Sequence, residues 1–416
     1  MKNRVRVFGE FIVLYMNINK INKVLKDMYN MKKFNFLILM LCSIISLASC
    51  SDSDEYTAEQ KTKESSQDLI DKVAINFAKN VKNNDGTRCA NNANIAIAQK
   101  DSLTLNGLTR GVDGEATKVY AVSMTGDNGS IIIAQQGDDV RPLVYFPNEQ
   151  SIDLNKLYND NYDESDISYL AQGVTYNYTE DGILIPSDKA GNAKIVERLE
   201  PKCKVYWNQR SPYNKYCFTS KNEQALAGCV AIAGAQALTV LRPSVPEITS
   251  WDEVVKEYPT TKAQDEIAKL VSRIGKDAGM KYGTGSSGTS TSKLSPIFAK
   301  YGIKDYDAGR AVDVLKTKHG VIVVSGYRAR HGWGPTKHYV DGHALLADGY
   351  IRFSGDKYYY FHVNYGWGKG YKDQKVAYLL TSNKDWDKEH ANDIYGMCFP
   401  KEIKYYTYAY EREKNW

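Results

Sequence analysis

A single cysteine stands where a helix is expected to begin, and this placement makes it a candidate nucleophile. Cys229 follows Gly228, which allows a sharp turn of the backbone, and it precedes a run of small and apolar residues that extends to Leu241. The N–H groups in the first turn of a helix have no intrahelical acceptor, and together with the helix dipole they favour a thiolate over a thiol. A thiolate there can attack a carbonyl carbon. The alternative is a buried core thiol, which is common for cysteine.

A thiol-dependent hydrolase also needs an imidazole that takes the thiol proton and later protonates the leaving amine. The chain has six histidines. His343 is the candidate, because it follows Asp341-Gly342 and leads directly into an apolar strand. A histidine at the rigid end of a buried strand is well placed to face a helix N-terminus. His338 is its main competitor.

Three further residues offer the remaining parts of such a site. Asn364 ends a later strand, and its amide can accept a hydrogen bond from an imidazole and so hold the ring in place. Trp367 follows closely and can cover that bond. Upstream, the Gln209 amide can donate to an oxyanion together with the backbone N–H of Cys229. Each signal is weak alone, so the order of the residues along the chain carries the hypothesis.

These residues resemble, in type and order, the streptopain family of papain-like cysteine peptidases. The motifs that carry the resemblance span about 207–368 and are Trp207-Asn208-Gln209, Gly228-Cys229-Val230-Ala231, the Ser/Gly loop 283–290, Gly342-His343-Ala344 with Asp348-Gly349, and Phe361-His362-Val363-Asn364-Tyr365-Gly366-Trp367-Gly368. The resemblance implies a papain-like α+β fold with two lobes, in which the cleft between a helical lobe and a β lobe binds an extended peptide.

The resemblance also implies a role for each residue. The expected catalytic residues are the nucleophile Cys229, the general acid and base His343, the oxyanion donor Gln209, the orienting Asn364 and the covering Trp367. The expected substrate-binding residues are Gly228, Gly342 and Ser287. The sequence departs from the family at Tyr365, where members commonly carry Trp, and residues 331–340 form a longer segment than usual before the histidine.

Hydrophobic periodicity predicts the elements that must position these residues. Helices are expected at 58–82, 229–242, 263–278 and 294–301. Two strands at 119–124 and 131–134 flank an Asn-Gly turn, which is typical of a hairpin. A further strand at 143–146 completes this N-terminal group. The C-terminal part is rich in strands, which are expected at 321–324, 343–350, 357–364, 376–380, 394–399 and 403–410.

The chain therefore divides into four expected parts. Residues 1–30 are interpreted as an upstream over-extension of the start, and 31–50 as a lipoprotein signal peptide. Residues 51–190 are interpreted as a propeptide with a flexible tether and a small α+β domain, and 191–416 as a papain-like peptidase domain. The resemblance implies that the propeptide inhibits the enzyme and is removed by proteolysis near 185–200, where Lys194 and Arg198 are candidate positions.

Charge and cysteine usage point to export. The net charge of +5 arises in the leader, because residues 1–50 carry eight Lys or Arg against two acidic residues, and nothing indicates a nucleic-acid surface. The segment before Cys50 resembles a lipobox, which predicts lipidation of Cys50 and a bacterial outer-membrane or cell-surface location, or release after processing. Cys203 and Cys217 flank a short loop and could form a disulfide. No Cys or His spacing indicates a metal site, and no cofactor is expected.

The sequence thus favours a surface-anchored or secreted cysteine endopeptidase, made as a zymogen, that acts on proteins or peptides through an acyl-enzyme. Two alternatives stay open. One is a non-catalytic papain-fold surface protein that only binds its ligand. The other is a related thiol acyl-transferase or amidase, which would use the same nucleophile on another substrate.

Overall fold

The computed structural model describes residues 66–82, 94–105, 117–152, 154, 185–331, 338–356, 358–369, 374–381 and 401–410. All of them belong to one compact unit, Glu64–Trp416. The signal peptide, Cys50, the tether and the strand expected at 394–399 lie outside the described residues. No helix in the described part of the chain is long and apolar enough to cross a membrane.

Helices and strands are both abundant, so the α+β class is confirmed. The helices are α1 (Ser66–Lys82), α2 (Ser187–Asn192), α3 (Cys229–Leu241), α4 (Trp251–Val254), α5 (Thr261–Asp277), α6 (Leu294–Ala299) and α7 (Ala311–Lys316). The strands are β1 (Ile97–Leu105), β2 (Thr117–Met124), β3 (Ser130–Gln136), β4 (Asp139–Phe146), β5 (Ile185–Pro186), β6 (Ile195–Leu199), β7 (Lys304–Tyr306), β8 (Gly320–His331), β9 (His338–Phe353), β10 (Tyr359–Asn364), β11 (Val376–Thr381) and β12 (Lys401–Ala409).

Helix α3 is buried along its whole length and forms the centre of the helical part. Every residue from Val230 to Leu241 is buried, which explains why the helix is apolar all round rather than on one face. Its end is set by Arg242, which adopts a left-handed conformation and donates its N–H to the carbonyl of Leu238. Pro243 follows and cannot continue the helix. The helix predicted at 229–242 is confirmed.

The strands form one antiparallel sheet in the order β1-β2-β3-β4-β11-β10-β9-β8-β12-β7, with β5 paired to β4 and β6 paired to β9. The predicted β2–β3 hairpin is present, and Gly129 in its turn has a φ of +74°. Strand β1 occupies a region for which the sequence indicated no element.

The sheet is continuous across the boundary expected near residue 190. Strand β4 pairs with β11 through Tyr145 with Tyr378 and Val144 with Leu379. The N-terminal strands thus extend the sheet of the C-terminal part, although the sequence predicted a separate small α+β unit. The division into propeptide and peptidase domains stays a prediction.

Two hydrophobic cores lie on opposite faces of the C-terminal strands. One contains α3, α5 and α6 and takes its strand residues from positions such as Ala344 and Leu346. The other contains α1, β2 to β4 and α7 and takes the alternate positions, such as Leu345 and Ala347. We call them the helical core and the second core.

Candidate active site

The structure places Cys229 at the first position of α3, as predicted. Gly228 precedes it with a φ of +88°, a conformation that residues with a side chain rarely adopt. A Cβ at Gly228 would lie 2.6 Å from Cε of Met280 and 3.2 Å from the carbonyl oxygen of Ser287. Only glycine therefore allows the chain to enter the helix so close to these atoms.

The loop that carries Ser287 is fastened beside the start of α3. Oγ of Ser287 accepts a hydrogen bond from the N–H of Gly283 at 3.0 Å. The carbonyl of Gly283 in turn accepts one from the N–H of Leu226 at 3.0 Å. Ser287 and Gly228, two of the expected substrate-binding residues, thus lie together. Gly342, the third, is on β9 next to His343 and pairs with Tyr327 of β8.

Gln209 lies in a loop that is held on two sides. Its carbonyl oxygen accepts a hydrogen bond from the N–H of Ala227 at 2.9 Å, two residues before Cys229. The neighbouring Asn208 donates from Nδ2 to the carbonyl of Gly368 at 2.8 Å. The loop therefore joins the entry of α3 to the chain that follows β10, and the half-buried Gln209 is placed between them.

His343 is buried, with 6 % of its surface exposed, and its ring has a defined orientation. Its Nε2 lies 2.8 Å from the carbonyl oxygen of Tyr365. Because a carbonyl only accepts, Nε2 carries the proton and Nδ1 is left as the proton acceptor. Burial lowers the pKa of His343 to about 4, and the hydrogen bond to Tyr365 offsets this only in part. The imidazole is therefore neutral at pH 7.

Trp367 packs on the imidazole, as expected of a covering residue. The ring centroids of His343 and Trp367 are 4.5 Å apart and the planes are inclined by 40°. Tyr365 stacks on Trp367 at 6.1 Å and is fully buried. The position at which Trp is common in the family is thus filled by a buried Tyr whose ring extends the aromatic cover.

Asn364 has a different set of contacts from the one expected. Its Nδ2 donates to the carbonyl of Val205 at 2.8 Å, and its Oδ1 accepts from Nε2 of Gln236 at 3.2 Å and from the N–H of Gly366 at 3.0 Å. The sequence assigned ring orientation to this amide, whereas the structure gives that contact to the carbonyl of Tyr365. The reason is the β alternation, which turns the Asn364 side chain toward α3.

Gln236 is a site residue that the sequence analysis missed. It is fully buried in an otherwise apolar helix and links α3 to Asn364. The signal was present, because a polar side chain inside an apolar run needs a buried partner. Cys229, Ile232 and Gln236 recur at helical spacing on one side of α3. A Cβ at Gly366 would lie 2.9 Å from Cγ2 of Ile232, so this side of the helix faces residues 364–366.

Residues 364–368 are thus the segment at which the predicted site residues converge. They contact the side of α3 that bears Cys229, bind the ring of His343 through Tyr365, and anchor the Gln209 loop through Gly368. Cys229 packs with the helical core and Trp367 with the second core.

A histidine–carboxylate pair, separate from His343, lies in the sheet. Nδ1 of His362 is 2.6 Å from Oδ1 of the fully buried Asp348, and Oδ2 of Asp348 accepts from the N–H of Cys203 at 2.6 Å. Burial raises the pKa of the Cys203 thiol to about 12, so this thiol is unreactive at neutral pH. Cys203 and Cys217 are separate buried thiols, and the disulfide considered between them is absent.

Comparisons with known proteins agree with the resemblance. Residues 242–374 match the model of the Peptidase C10 family, a range that includes His343, Asn364 and Trp367 and begins after Cys229. No curated protein matches the chain. A solved fragment of prointerpain A from Prevotella intermedia shares 16% identity, with 76% of this chain and 100% of that chain covered and a TM-score of 0.46. The active interpain A cysteine protease of the same organism shares 18% identity, with coverage of 51% and 95% and a TM-score of 0.35.

Proposed function

We propose that the chain is a cysteine endopeptidase that is exported and made as a zymogen, because residues 242–374 match the model of the Peptidase C10 family. The observation that carries the proposed mechanism is the convergence at residues 364–368. Hydrogen bonds from this segment reach the Cys229 helix, the His343 ring and the Gln209 loop.

The mechanism uses the tautomer that Tyr365 imposes. Nδ1 of His343 takes the proton of the Cys229 thiol, and the sulfur attacks the carbonyl carbon of the scissile bond. The backbone N–H of Cys229 and the side-chain amide of Gln209 donate to the oxyanion. The imidazolium returns its proton to the leaving amine, which leaves an acyl-enzyme. Water, deprotonated by the imidazole, then releases the acid and regenerates the thiol.

Residues 51–190 are the proposed inhibitory propeptide, and they include α1. Phe77 of α1 packs on Phe353 and Tyr360 with ring centroids 4.9 and 5.0 Å apart, so this segment shares the second core with the strands that carry the histidine. With a pKa of about 4, His343 is a weak base in the uncleaved chain. Removal of the segment would open the second core, on which Trp367 packs, and would let the imidazole become more solvated and more basic.

Processing is proposed between the propeptide and the peptidase, and it would release the enzyme from a lipid anchor on Cys50 once the cleaved propeptide dissociates. Lys194 directly precedes β6 and Arg198 lies inside it. This strand pairs with β9 from Ile195 to Leu199. A peptidase binds its substrate as an extended chain, so cleavage at either position requires β6 to leave the sheet.

The test is the variant Cys229→Ala, compared with Cys203→Ala. We expect Cys229→Ala to fold but to lose autoprocessing, peptide cleavage and labelling by an epoxysuccinyl thiol reagent. Cys203→Ala should keep all three. Full peptidase activity in Cys229→Ala would overturn the proposal. Labelling without cleavage of any peptide would instead favour an acyl-transferase or amidase, and cell-wall and amine substrates would then be compared. Mass spectrometry of the active form would locate its N-terminus.

A further inference from the structure

A pocket of about 340 Å³ lies beside the nucleophile but contains none of the proposed catalytic residues. Its lining includes two cationic side chains, Arg210 and Lys215, together with Ala225, Leu226 and Thr284. Two cations in one concave site indicate a site for a negatively charged group. The chemistry of the lining therefore points to an anion rather than to an apolar side chain.

The pocket is within reach of a peptide bound at Cys229. Arg210 directly follows Gln209, whose carbonyl binds the N–H of Ala227. Leu226, another lining residue, is three residues before Cys229, which limits its distance from the sulfur-bearing residue to about 10 Å along the chain. Successive residues of an extended peptide advance by about 3.3 Å. A side chain within three residues of the scissile bond can therefore enter the pocket.

The positive charge of the pocket comes chiefly from Arg210. Lys215 is paired with the carboxylate of Asp265, which also accepts a hydrogen bond from Tyr216. Among the described residues, no carboxylate pairs with Arg210. Its backbone is nevertheless fixed, because its N–H donates to Oδ1 of Asn208 at 2.7 Å and its carbonyl accepts from the N–H of Tyr213 at 2.9 Å.

Two other polar side chains of the lining, Asn214 and Gln224, are already occupied. Nδ2 of Asn214 donates to the carbonyl of Ala225 at 2.7 Å, and Nε2 of Gln224 donates to the carbonyls of Asn214 and Cys217 at 2.6 and 2.9 Å. These bonds shape the wall and leave the guanidinium of Arg210 as the charged group that can bind a ligand, beside the hydroxyl-bearing residues Ser211 and Thr284. A guanidinium presents a planar fork of donors that matches a carboxylate.

We propose that this pocket is a specificity subsite that binds the side-chain carboxylate of an Asp or Glu in the substrate, within three residues of the scissile bond. Arg210 determines the preference, and Lys215 contributes less because Asp265 neutralises it. The proposal rests on the proposed peptidase function. It concerns which peptides are cleaved and not how the bond is broken.

The experiment starts from the full chain after autoprocessing and uses a neutral, internally quenched parent peptide, together with derivatives that carry Glu, Gln or Lys at each of the three positions on either side of the scissile bond. We expect one or more positions at which kcat/KM for Glu exceeds that for Gln by about tenfold at low salt, the ratio expected for one charge-assisted hydrogen bond. Because the pocket is open, the ratio should fall as salt is raised.

Three variants identify the residue responsible. Arg210→Ala should lower the Glu/Gln ratio to about one, and Arg210→Glu should invert the preference toward Lys. Lys221→Ala removes an exposed lysine outside the pocket and should leave the ratio as in the wild type. A ratio of one at every position in the wild type, or a preference that survives Arg210→Glu, would overturn the subsite. Absence of cleavage of the neutral parent peptide would overturn the proposed function instead.

Discussion

The ring of His343 is oriented by a backbone carbonyl, that of Tyr365, which accepts a hydrogen bond from Nε2 at 2.8 Å. A carbonyl neither titrates nor changes with the side chain of its residue. The tautomer that leaves Nδ1 available to the thiol proton is therefore set by the path of the chain after β10. The side chain of Asn364 contributes indirectly, since it fixes that path against α3.

The buried neutral state of His343 should make folding depend on pH. Burial lowers its pKa from about 6.5 to about 4, so the unfolded chain takes up the proton at a higher pH than the folded chain. The stability that neutral His343 contributes is therefore present above pH 6.5 and is lost as the pH falls toward 4. Between pH 7 and 4, we expect the free energy of unfolding to fall by about 3 kcal/mol more in the wild type than in His343→Gln, as measured by urea unfolding at each pH.

The matched control for this pH dependence is His319→Gln. His319 is bonded through Nδ1 to the carbonyl of Val240 at the end of α3 and is less buried than His343. The stability that His319→Gln loses between pH 7 and 4 is the reference for a histidine substitution outside the site. Equal losses in the wild type and in His343→Gln would show that another group is responsible for the acid sensitivity.

Asn364→Ala should destabilise the protein and lower activity without moving the pKa of His343. The change removes the shorter hydrogen bonds of the Val205 carbonyl and of the Gln236 amide and leaves these two buried groups with the long bond of 3.5 Å between them, and poorly satisfied buried polar groups cost about 1–3 kcal/mol. The bond between His343 and Tyr365 is retained. We expect lower stability in urea and a lower kcat/KM, but an unchanged midpoint of the acidic limb of the pH–rate profile.

Asn192→Ala is the control for that substitution, because Asn192 is exposed and bonds only within its own short helix α2. It should change the stability by less than about 0.5 kcal/mol. A shift of the acidic limb in Asn364→Ala with unchanged stability would mean that the amide itself orients the ring, as the sequence alone predicted.

Gly228→Ala should disturb the nucleophile directly. A Cβ there lies 2.6 Å from Cε of Met280, and the φ of +88° is strained for alanine even after Met280 moves. Strain of this kind costs about 1–3 kcal/mol, and the start of α3 must shift to relieve it. We expect reduced thermal stability and at least a tenfold loss of kcat/KM, since small misplacements of a nucleophile are costly.

Gly285→Ala is the matched control in the adjoining Ser/Gly loop. A Cβ at Gly285 meets no atom within 4 Å, and its φ is not in the left-handed region. Its stability and peptide cleavage should equal those of the wild type. If Gly228→Ala also had the stability and the peptide cleavage of the wild type, the backbone at the start of α3 would accommodate a side chain more easily than the contacts with Met280 indicate.

The sequence predicted the elements that local patterns define. Helix α3 was recognised because its residues are mostly small and apolar and Pro243 follows it, and the β2–β3 hairpin because Asn128-Gly129 is a strong turn signal. The site residues were identified by their order and by family resemblance. Their contacts were not, because the partner of Asn364 depends on where Gln236 of a distant helix comes to lie.

Pairing between distant strands was also beyond the sequence. Strands β4 and β11 are more than 200 residues apart, and both are apolar runs that could be central in any sheet. No local pattern specifies which runs become neighbours. The continuous sheet, and with it the attachment of residues 66–154 to the C-terminal part, therefore emerged only from the structure.

The attachment of the proposed propeptide depends on a buried ion pair between Arg141 of β4 and Asp356 in the β9–β10 turn. Both side chains are almost completely buried, Arg141 also lies over the ring of Tyr358 at 5.2 Å, and Tyr360 donates its hydroxyl to the carbonyl of Pro142. Removal of one partner leaves an uncompensated buried charge, which costs about 3–5 kcal/mol. Arg141→Met and Asp356→Leu should each destabilise the chain by that amount.

The double variant should be less destabilised than the sum of the two single variants, because it leaves no buried charge behind. Urea unfolding of all four proteins measures this coupling. After cleavage near residue 190, size-exclusion chromatography should show the cleaved propeptide co-eluting with the peptidase in the wild type and dissociating from it in the Arg141→Met variant. Additive single effects, or equal retention of the cleaved segment in the wild type and in Arg141→Met, would show that strand pairing between β4 and β11 suffices to hold it.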